Sequence, residues 1–527
     1  MGPRAVCFPW PRNAEPGPLR ARIRLALVCA LAWGLLGADS ARAAARKPYG
    51  GQVQLAYPSE IHCTDPARIA SFSEWELSRQ IHETLYRYSA DGTPGPALAH
   101  FLPEVSADGK QWIIALRPGL VFHDQSPITS ADVVASWERL LAPQTGSMHW
   151  WLLLPIEGAL AFRQGKAKGI SGLSVVNKLT LRVRLRVSMP EFIEVLAALP
   201  TAPLSPKWRY GKKDLPLHPP GSGPFLWSVA ASAVDRSAAE LTAFPGHWQG
   251  RPFLDRLVPQ PVLKPREAAM AFEMGKLQVT RLRPARSEAR ASLAGPANRA
   301  VFLLVHPRYA KAFPHGVAPV FAATFQRGTM ASFLSDVDLA PGDGVTSCLL
   351  NVAARSDVVW KKDEERPPSA PLKDLPRRLE LLLFPEEEWL RRLSQRIQVD
   401  LAKLGLSVEV REVDREAILR RQESREYDLL LFEPLPLVRS ALLQWISILS
   451  AAEPAQGAEE LFQVLRQWEQ PEKRVAMLAD RARSWQARLP WFLLFCQGQR
   501  VWTHSAVRDL VVGQDGLLDY ANVWLTE

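Results

Sequence analysis

Phe122-His123-Asp124-Gln125-Ser126-Pro127-Ile128-Thr129-Ser130-Ala131-Asp132-Val133-Val134-Ala135-Ser136-Trp137 encodes a strand end, a turn and a capped helix. Pro118-Gly119 makes a turn just ahead of it. Thr129 stands where a side-chain oxygen caps a helix, and Asp132, three residues on, completes a capping arrangement. Val133, Val134 and Trp137 then turn one face of that helix inward.

Upstream, Val53, Leu55 and Tyr57 alternate with polar residues and predict a strand. Residues 73–88 carry Trp75, Leu77, Ile81, Leu85 and Tyr88 mostly at helical spacing. Asp91-Gly92 and Asp108-Gly109 are turn dipeptides flanking short strands, and residues 179–187 alternate Leu and Val against Thr and Arg as a half-exposed strand does. Downstream, residues 379–384 are an apolar run suited to a buried strand, and the acids 386–388 suit the positive end of a following helix. Leu390, Leu393, Ile397, Leu401 and Leu404 recur at three- and four-residue steps until Gly405. Residues 406–410 and 427–432 complete strand–helix–strand–helix–strand, an α/β unit with a parallel edge. The Pro- and charge-rich residues 361–378 read as a surface loop ahead of it.

At 527 residues the chain exceeds what one simple core accommodates. Apolar residues at 47 % and charged residues at 22 % are ordinary for a soluble globular protein. The 18 Trp are numerous, and large aromatics fill cores more often than they line clefts. Arg20, Arg22 and Arg24 precede the apolar run 25–38, which is short for a membrane span and leads to Ala41-Arg42-Ala43. Residues 1–43 therefore read as a secretory signal peptide, with a retained membrane anchor as the weaker alternative, and 1–19 are long enough for translation to start further in. Cys29 follows Leu27-Val28 without the small residue of a lipoprotein processing site, so no lipid anchor is expected. Residues 1–43 hold six Arg and two acids, so their loss lowers the net charge from +10 to +6. Spread over the remaining chain, that excess argues for solubility and against nucleic-acid binding. Arg281, Arg283, Arg286 and Arg290 read as a solvated face. Cys63, Cys348 and Cys496 remain after removal of the leader, allowing one disulfide and one leftover thiol, with the pairing open.

Enzyme signatures are absent from the sequence. There is no phosphate loop, no zinc-binding helical His pair and no nucleophile elbow. Gly221-Ser222-Gly223 lacks the strand–Ser–helix setting of a hydrolase nucleophile, and Gly342-Asp343-Gly344 is too short for a dinucleotide fingerprint. His62-Cys63 as metal ligands is a weaker reading than a pair with no such role. No enzyme activity, no metal and no cofactor are expected.

As a string, residues 122–133 resemble the pattern Phe-x-Asp-Gly-x-Pro-hydrophobic-Thr-Ala-x-Asp-Val of the family 5 solute-binding proteins of ABC transporters, which include dipeptide- and oligopeptide-binding proteins; Gln125 stands where Gly is usual. Gly221-Ser222-Gly223-Pro224-Phe225 resembles the family's Gly-Thr-Gly-Pro-Tyr strand entry. Residues 245–256, with Trp248, Gly250, Pro252, Leu254 and Asp255, resemble its Tyr-Trp-x-Gly-x-Pro-x-Leu-Asp segment. The resemblance is dense over 52–280 and patchy over 379–430. It implies an α/β, two-lobed periplasmic binding protein fold (type II, cluster C-like) with an extra small subdomain in the first lobe. The expected division is 44–263 plus 491–527 for lobe 1, including a subdomain at about 86–185, and 264–490 for lobe 2. It implies a periplasmic monomer that captures a peptide or similar small solute between its lobes and delivers it to an ABC transporter permease.

The family's peptide binders anchor the ligand's amino group with an acid after the segment matching Tyr427-Asp428. Here Leu429-Leu430-Leu431-Phe432-Glu433-Pro434 follows, and Glu433 is the one nearby acid. An ammonium buried without a carboxylate is costly. The alternative is accordingly a degenerate family member acting as a ligand sensor or scaffold without transport. The cleft residues the resemblance implies are Tyr57, Ser59, Glu60 and His62 after the first strand, with Phe432, Glu433 and Trp445 from the second lobe. The His149-Trp150-Trp151 cluster reads as buried within the subdomain.

Overall fold

The strand Gln52–Tyr57, buried at alternate positions, lies at the middle of a seven-stranded sheet in the computed structural model. The structure describes residues 47–58, 61–89, 91–208, 218–229, 239–262, 264–284, 291–313, 316–334, 337, 339–341, 375–384, 387–452, 462–463, 491–498 and 500–526. Gln52–Tyr57 runs parallel to Arg256–Pro261 on one side and to Val279–Thr280 on the other. The sheet continues through Ala239–Ala243 to Phe225–Val229 at one edge, and through Arg500–Thr503 to Ala291–Ala294 at the other.

A second sheet has six strands in the order Leu339–Pro341, Trp491–Gln497, Arg299–Val305, Leu429–Phe432, Arg378–Leu383, Ser407–Glu412. Two adjacent inner strands, Arg299–Val305 and Trp491–Gln497, are buried at every position, as strands covered on both faces must be. Arg378–Leu383 pairs in parallel with both Ser407–Glu412 and Leu429–Phe432, which is the α/β unit expected from periodicity. The helix between its first two strands runs Glu388–Ala402 and buries Leu390, Leu393, Ile397 and Leu401; Gly405 follows at φ 77°.

The chain crosses from the first sheet to the second between Ala294 and Arg299 and returns between Gln497 and Arg500. These crossings fall later in the chain than the expected divisions at 263/264 and 490/491, because Val279–Thr280 and Ala291–Ala294 both bond to Arg500–Thr503 in the first sheet. A third, four-stranded antiparallel sheet (Glu104–Val105, Gln111–Ala115, Thr180–Arg184, Leu173–Asn177) is built from the segment expected to form the subdomain.

The segment 122–137 ties that small sheet to the first one. His123 N–H donates to the Gly221 carbonyl at 2.8 Å, His123 Nε2 lies 2.9 Å from the Gly223 carbonyl, and Gly221 N–H donates to His123 Nδ1 at 3.2 Å. Gly221 and Gly223 are needed for close approach, since an added Cβ would sit 2.1 Å and 2.6 Å from the carbonyl oxygens of Ile81 and Gln80. Thr129 caps the helix Ser130–Leu141, its N–H and hydroxyl donating to Asp132 Oδ2 at 2.6 Å and 2.7 Å. Trp137, fully buried, donates its indole N–H to the Thr201 carbonyl at 2.9 Å. Gln125 adopts φ 65°, the left-handed region that favours glycine.

Two local expectations are corrected. The helical spacing of 73–88 extends beyond the helix, which runs Phe72–Ile81; His82 turns extended at φ −117° and Tyr86–Tyr88 is a strand. Glu83 is drawn off the helix, where it accepts from His247 Nε2 at 3.0 Å and Trp248 Nε1 at 3.3 Å. Arg281 is not on a solvated face: its guanidinium is mostly buried and paired with Glu76, while Arg283 is exposed. Arg286 and Arg290 lie outside the described residues, as do the leader 1–43 and the loop 361–374. Cys63 is buried as a thiol, Cys496 is disulfide-bonded, and Cys348 lies outside the described residues. Among the described residues no helix is long and apolar enough to cross a membrane.

Candidate functional site

Both sheets deliver residues to one place, around the ring of Phe72 at the start of the helix Phe72–Ile81. A cavity of about 130 Å³ lies there, walled by Tyr57 and Trp502 of the first sheet, by Arg299 and Gln497 at the crossings, and by Trp389 of the helix Glu388–Ala402. A second cavity of about 60 Å³ also has Phe72 in its wall, with Leu390, Phe432, Glu433 and Leu435 from the second sheet's side.

The polar groups around Phe72 form two sets that share its ring. Tyr57 OH donates to Glu76 Oε1 at 2.9 Å, and the other oxygen of Glu76 accepts from Arg281. Burial, then the adjacent Glu76 carboxylate, holds the Tyr57 phenol well above its usual range, so Tyr57 is a neutral donor. The Arg281 and Arg299 guanidiniums lie 4.9 Å and 4.6 Å from the Phe72 ring centre, where cations are attracted to an aromatic face. Arg299 is 2 % exposed and holds two carboxylates, Glu433 through Nε and Glu387 through Nη1 at 2.8 Å.

Away from Phe72, the subdomain side meets residues 439–452 in two further ways. Glu194, on the subdomain side, accepts at Oε2 from Tyr88 OH at 2.9 Å and from the backbone N–H groups of Arg439 and Ser440 at 2.6 Å and 2.7 Å. Those two residues immediately precede the helix Ala441–Ala452, so Glu194 satisfies donors at its start. Burial raises the Glu194 carboxyl above its ordinary range. Arg439 also donates to the Gly92 carbonyl at 2.6 Å. Beside this polar joint, the turn Trp150–Leu153 packs on the helix Ala441–Ala452 within one apolar core.

The residues expected in the cleft are placed as follows. Tyr57 lines the larger cavity, and Phe432 and Glu433 line the smaller one. His62 is exposed and walls neither cavity. Trp445 is 3 % exposed, in edge-to-face contact with Trp491 at 5.9 Å in the core, and walls neither cavity. Ser59 and Glu60 lie outside the described residues. Trp150 and Trp151 are buried, as expected, but against the helix Ala441–Ala452 as well as within the subdomain. Sequence reasoning missed Phe72, Glu76, Arg281, Arg299 and Glu387. One signal was available for Arg299, a cation opening an otherwise apolar strand.

Residues 93–309 match the model of the bacterial extracellular solute-binding proteins, family 5 Middle. The chain is 33 % identical over 150 residues to the periplasmic oligopeptide-binding protein OppA of Escherichia coli (strain K12), covering 28 % of this chain and 27 % of that one. It is 27 % identical over 249 residues to the glutathione-binding protein GsiB of Salmonella paratyphi A, covering 46 % and 44 %. The matched segments thus span from about a quarter to about half of these relatives. In structure, the chain is similar to the pheromone receptor PrgZ, with a TM-score of 0.75 at 18 % identity over 90 % of this chain and 99 % of that one. It is equally similar, at 0.75 and 17 %, to the substrate-binding domain of an oligopeptide ABC transporter from Bacillus anthracis str. Ames, over 90 % and 99 %. At such identity the likeness is one of fold, the two-lobed α/β architecture expected from the sequence.

Proposed function

We propose that the chain, which matches the bacterial extracellular solute-binding proteins of family 5 over residues 93–309, is a member of that family that captures a peptide or similar small solute between two lobes and delivers it to an ABC transporter permease. In this reading lobe 1 is built on the seven-stranded sheet with its small antiparallel subdomain, lobe 2 on the six-stranded sheet, and the two crossings between them are the hinge. The observation that carries the reading is the convergence of both lobes on Phe72. A ligand held there touches both lobes only when they are closed, and that difference in contacts is what drives closure. The relatives named for oligopeptides and glutathione support a peptide-like solute. In this reading residues 1–43 act as the signal peptide, and the mature protein works as a periplasmic monomer that binds its solute without transforming it.

A ligand that binds only the native state raises the melting temperature. The purified mature protein is therefore expected to melt higher with at least one member of a di- to pentapeptide panel, and to carry that solute in native mass spectrometry. No shift with any peptide, together with no bound small molecule, rules the transport reading out. A second reading, a ligand sensor or scaffold without transport, is favoured by one observation: Glu433, the acid that follows the segment matching Tyr427-Asp428, is already held by Arg299.

A further inference from the structure

Five arginines (Arg281, Arg283, Arg299, Arg392 and Arg500) and two glutamates are among the residues lining the 130 Å³ cavity. Of the carboxylates at hand, Glu388 is exposed, and the others are already engaged with these cations. Glu387 and Glu433 both bond Arg299, and Glu76, behind the wall, bonds Arg281. Away from exposed Glu388, an incoming ammonium would have to displace one of these ion pairs to find a counter-charge.

The donors are in the opposite position. The guanidiniums of Arg281, Arg299 and Arg392 all have partners, yet one nitrogen of each (Arg281 Nε, Arg299 Nη2 and Arg392 Nε) is buried with no hydrogen-bond acceptor. Buried donors without acceptors carry the full desolvation cost, which a ligand oxygen would relieve. The first turn of the helix Glu388–Ala402 also lines the cavity, adding the positive end of a helix dipole. Gln497 Oε1 is likewise buried without a donor, and its amide can turn to present either atom. At about 130 Å³ the space lies well below the roughly 300–1,000 Å³ of a whole small-molecule site, so it takes one functional group.

We infer that the hinge cavity receives the oxyanion group of the captured solute, a carboxylate or a phosphate, so that the chain selects anionic solutes and has no need of a free ammonium. The inference rests on the capture reading above. The arginines around Phe72 bind the oxyanion as the lobes close, in charge-assisted hydrogen bonds, and the remainder of the solute occupies space opened between the lobes.

Calorimetry on the intact mature protein tests this with trialanine, N-acetyl-trialanine, trialanine amide, Glu-Glu and inorganic phosphate. Acetylation is expected to change Kd by less than about threefold, and amidation to weaken binding by about tenfold or more, the worth of a hydrogen bond to a charged group. Glu-Glu is expected to bind more tightly than trialanine. Competition by phosphate alone identifies a phosphate-bearing solute; its absence identifies a carboxylate. Arg392→Gln, checked for unchanged melting temperature, should weaken the acids about tenfold and leave the amide unchanged; Arg283→Gln, at an exposed position, serves if that variant does not fold. Binding abolished by acetylation and indifferent to amidation overturns the inference while leaving capture intact. No binding by any of the five, when other peptides bind, overturns the inference alone; no binding by any peptide overturns both.

Discussion

Arg299 holds Glu433 and Glu387 at once, one guanidinium neutralising an acid from each side of the cavity wall. Glu433→Gln leaves Arg299 one of its two carboxylates. Breaking a buried pair outright costs about 3–5 kcal/mol, so the expected loss here is smaller, about 1–3 kcal/mol in urea unfolding. Arg299→Met, which strands both acids, should cost more. Were Glu433 instead a ligand's amine anchor, Glu433→Gln would abolish binding with stability unchanged, and the two outcomes are separated by one denaturation curve and one titration.

Gln125 adopts φ 65° within the stretch that joins the subdomain to the first sheet. A left-handed backbone costs a side-chain-bearing residue about 1–2 kcal/mol, and glycine gives back part of that as unfolded-state entropy. Gln125→Gly should therefore stabilise the protein by about 0.5–1 kcal/mol. A lower denaturation midpoint for this variant would show that the Gln125 side chain contributes more than its backbone costs.

Glu194 joins the lobes by accepting from Tyr88 OH and the N–H groups of Arg439 and Ser440. Glu194→Ala removes an acceptor at a helix start, worth about 0.5–2 kcal/mol, and leaves buried donors without a partner. It should lower stability by that amount and speed amide exchange across 439–452 ahead of global unfolding. Faster exchange confined to the subdomain would mean that Glu194 does not link the two bodies.

Burial lowers His82 to about 3, and His123 and His218 to about 4. Their unfolded value is about 6.5. Between these values the unfolded chain binds more protons than the folded one, so stability is full above about pH 6.5 and falls as pH drops toward 4. His123 gives the effect a structural cause, because its Nδ1 accepts from Gly221 N–H and a proton there ends that bond. The melting temperature should drop between pH 7 and pH 4.5, and His123→Gln should flatten the drop. A flat profile in the parent protein would contradict the burial of these imidazoles.

Much of the fold was legible because local patterns reported directly on it. The Thr129/Asp132 cap, the Gly405 stop and the apolar run ending at Leu383 each appear where their chemistry places them. The helix expected over 73–88 failed at His82 because Glu83 bonds His247, a contact 164 residues away that no periodicity records. The site was less legible for the same reason. Tyr57, Phe432 and Glu433, expected from the family resemblance, line the cavities beside Phe72, whereas Trp445, expected with them, is packed in the core. Arg281 and Arg299 take their meaning from Phe72, more than two hundred residues earlier in the chain, and from the acids that reach them.

Capture between the lobes is tested most directly by hydrogen exchange of the mature protein with and without a saturating peptide ligand, followed over 52–58 in lobe 1 and 429–439 in lobe 2. The account predicts slower exchange in both segments together, since the ligand contacts both walls of the Phe72 site. Protection of one segment alone, or of neither while the peptide is bound, would place the ligand elsewhere and contradict it.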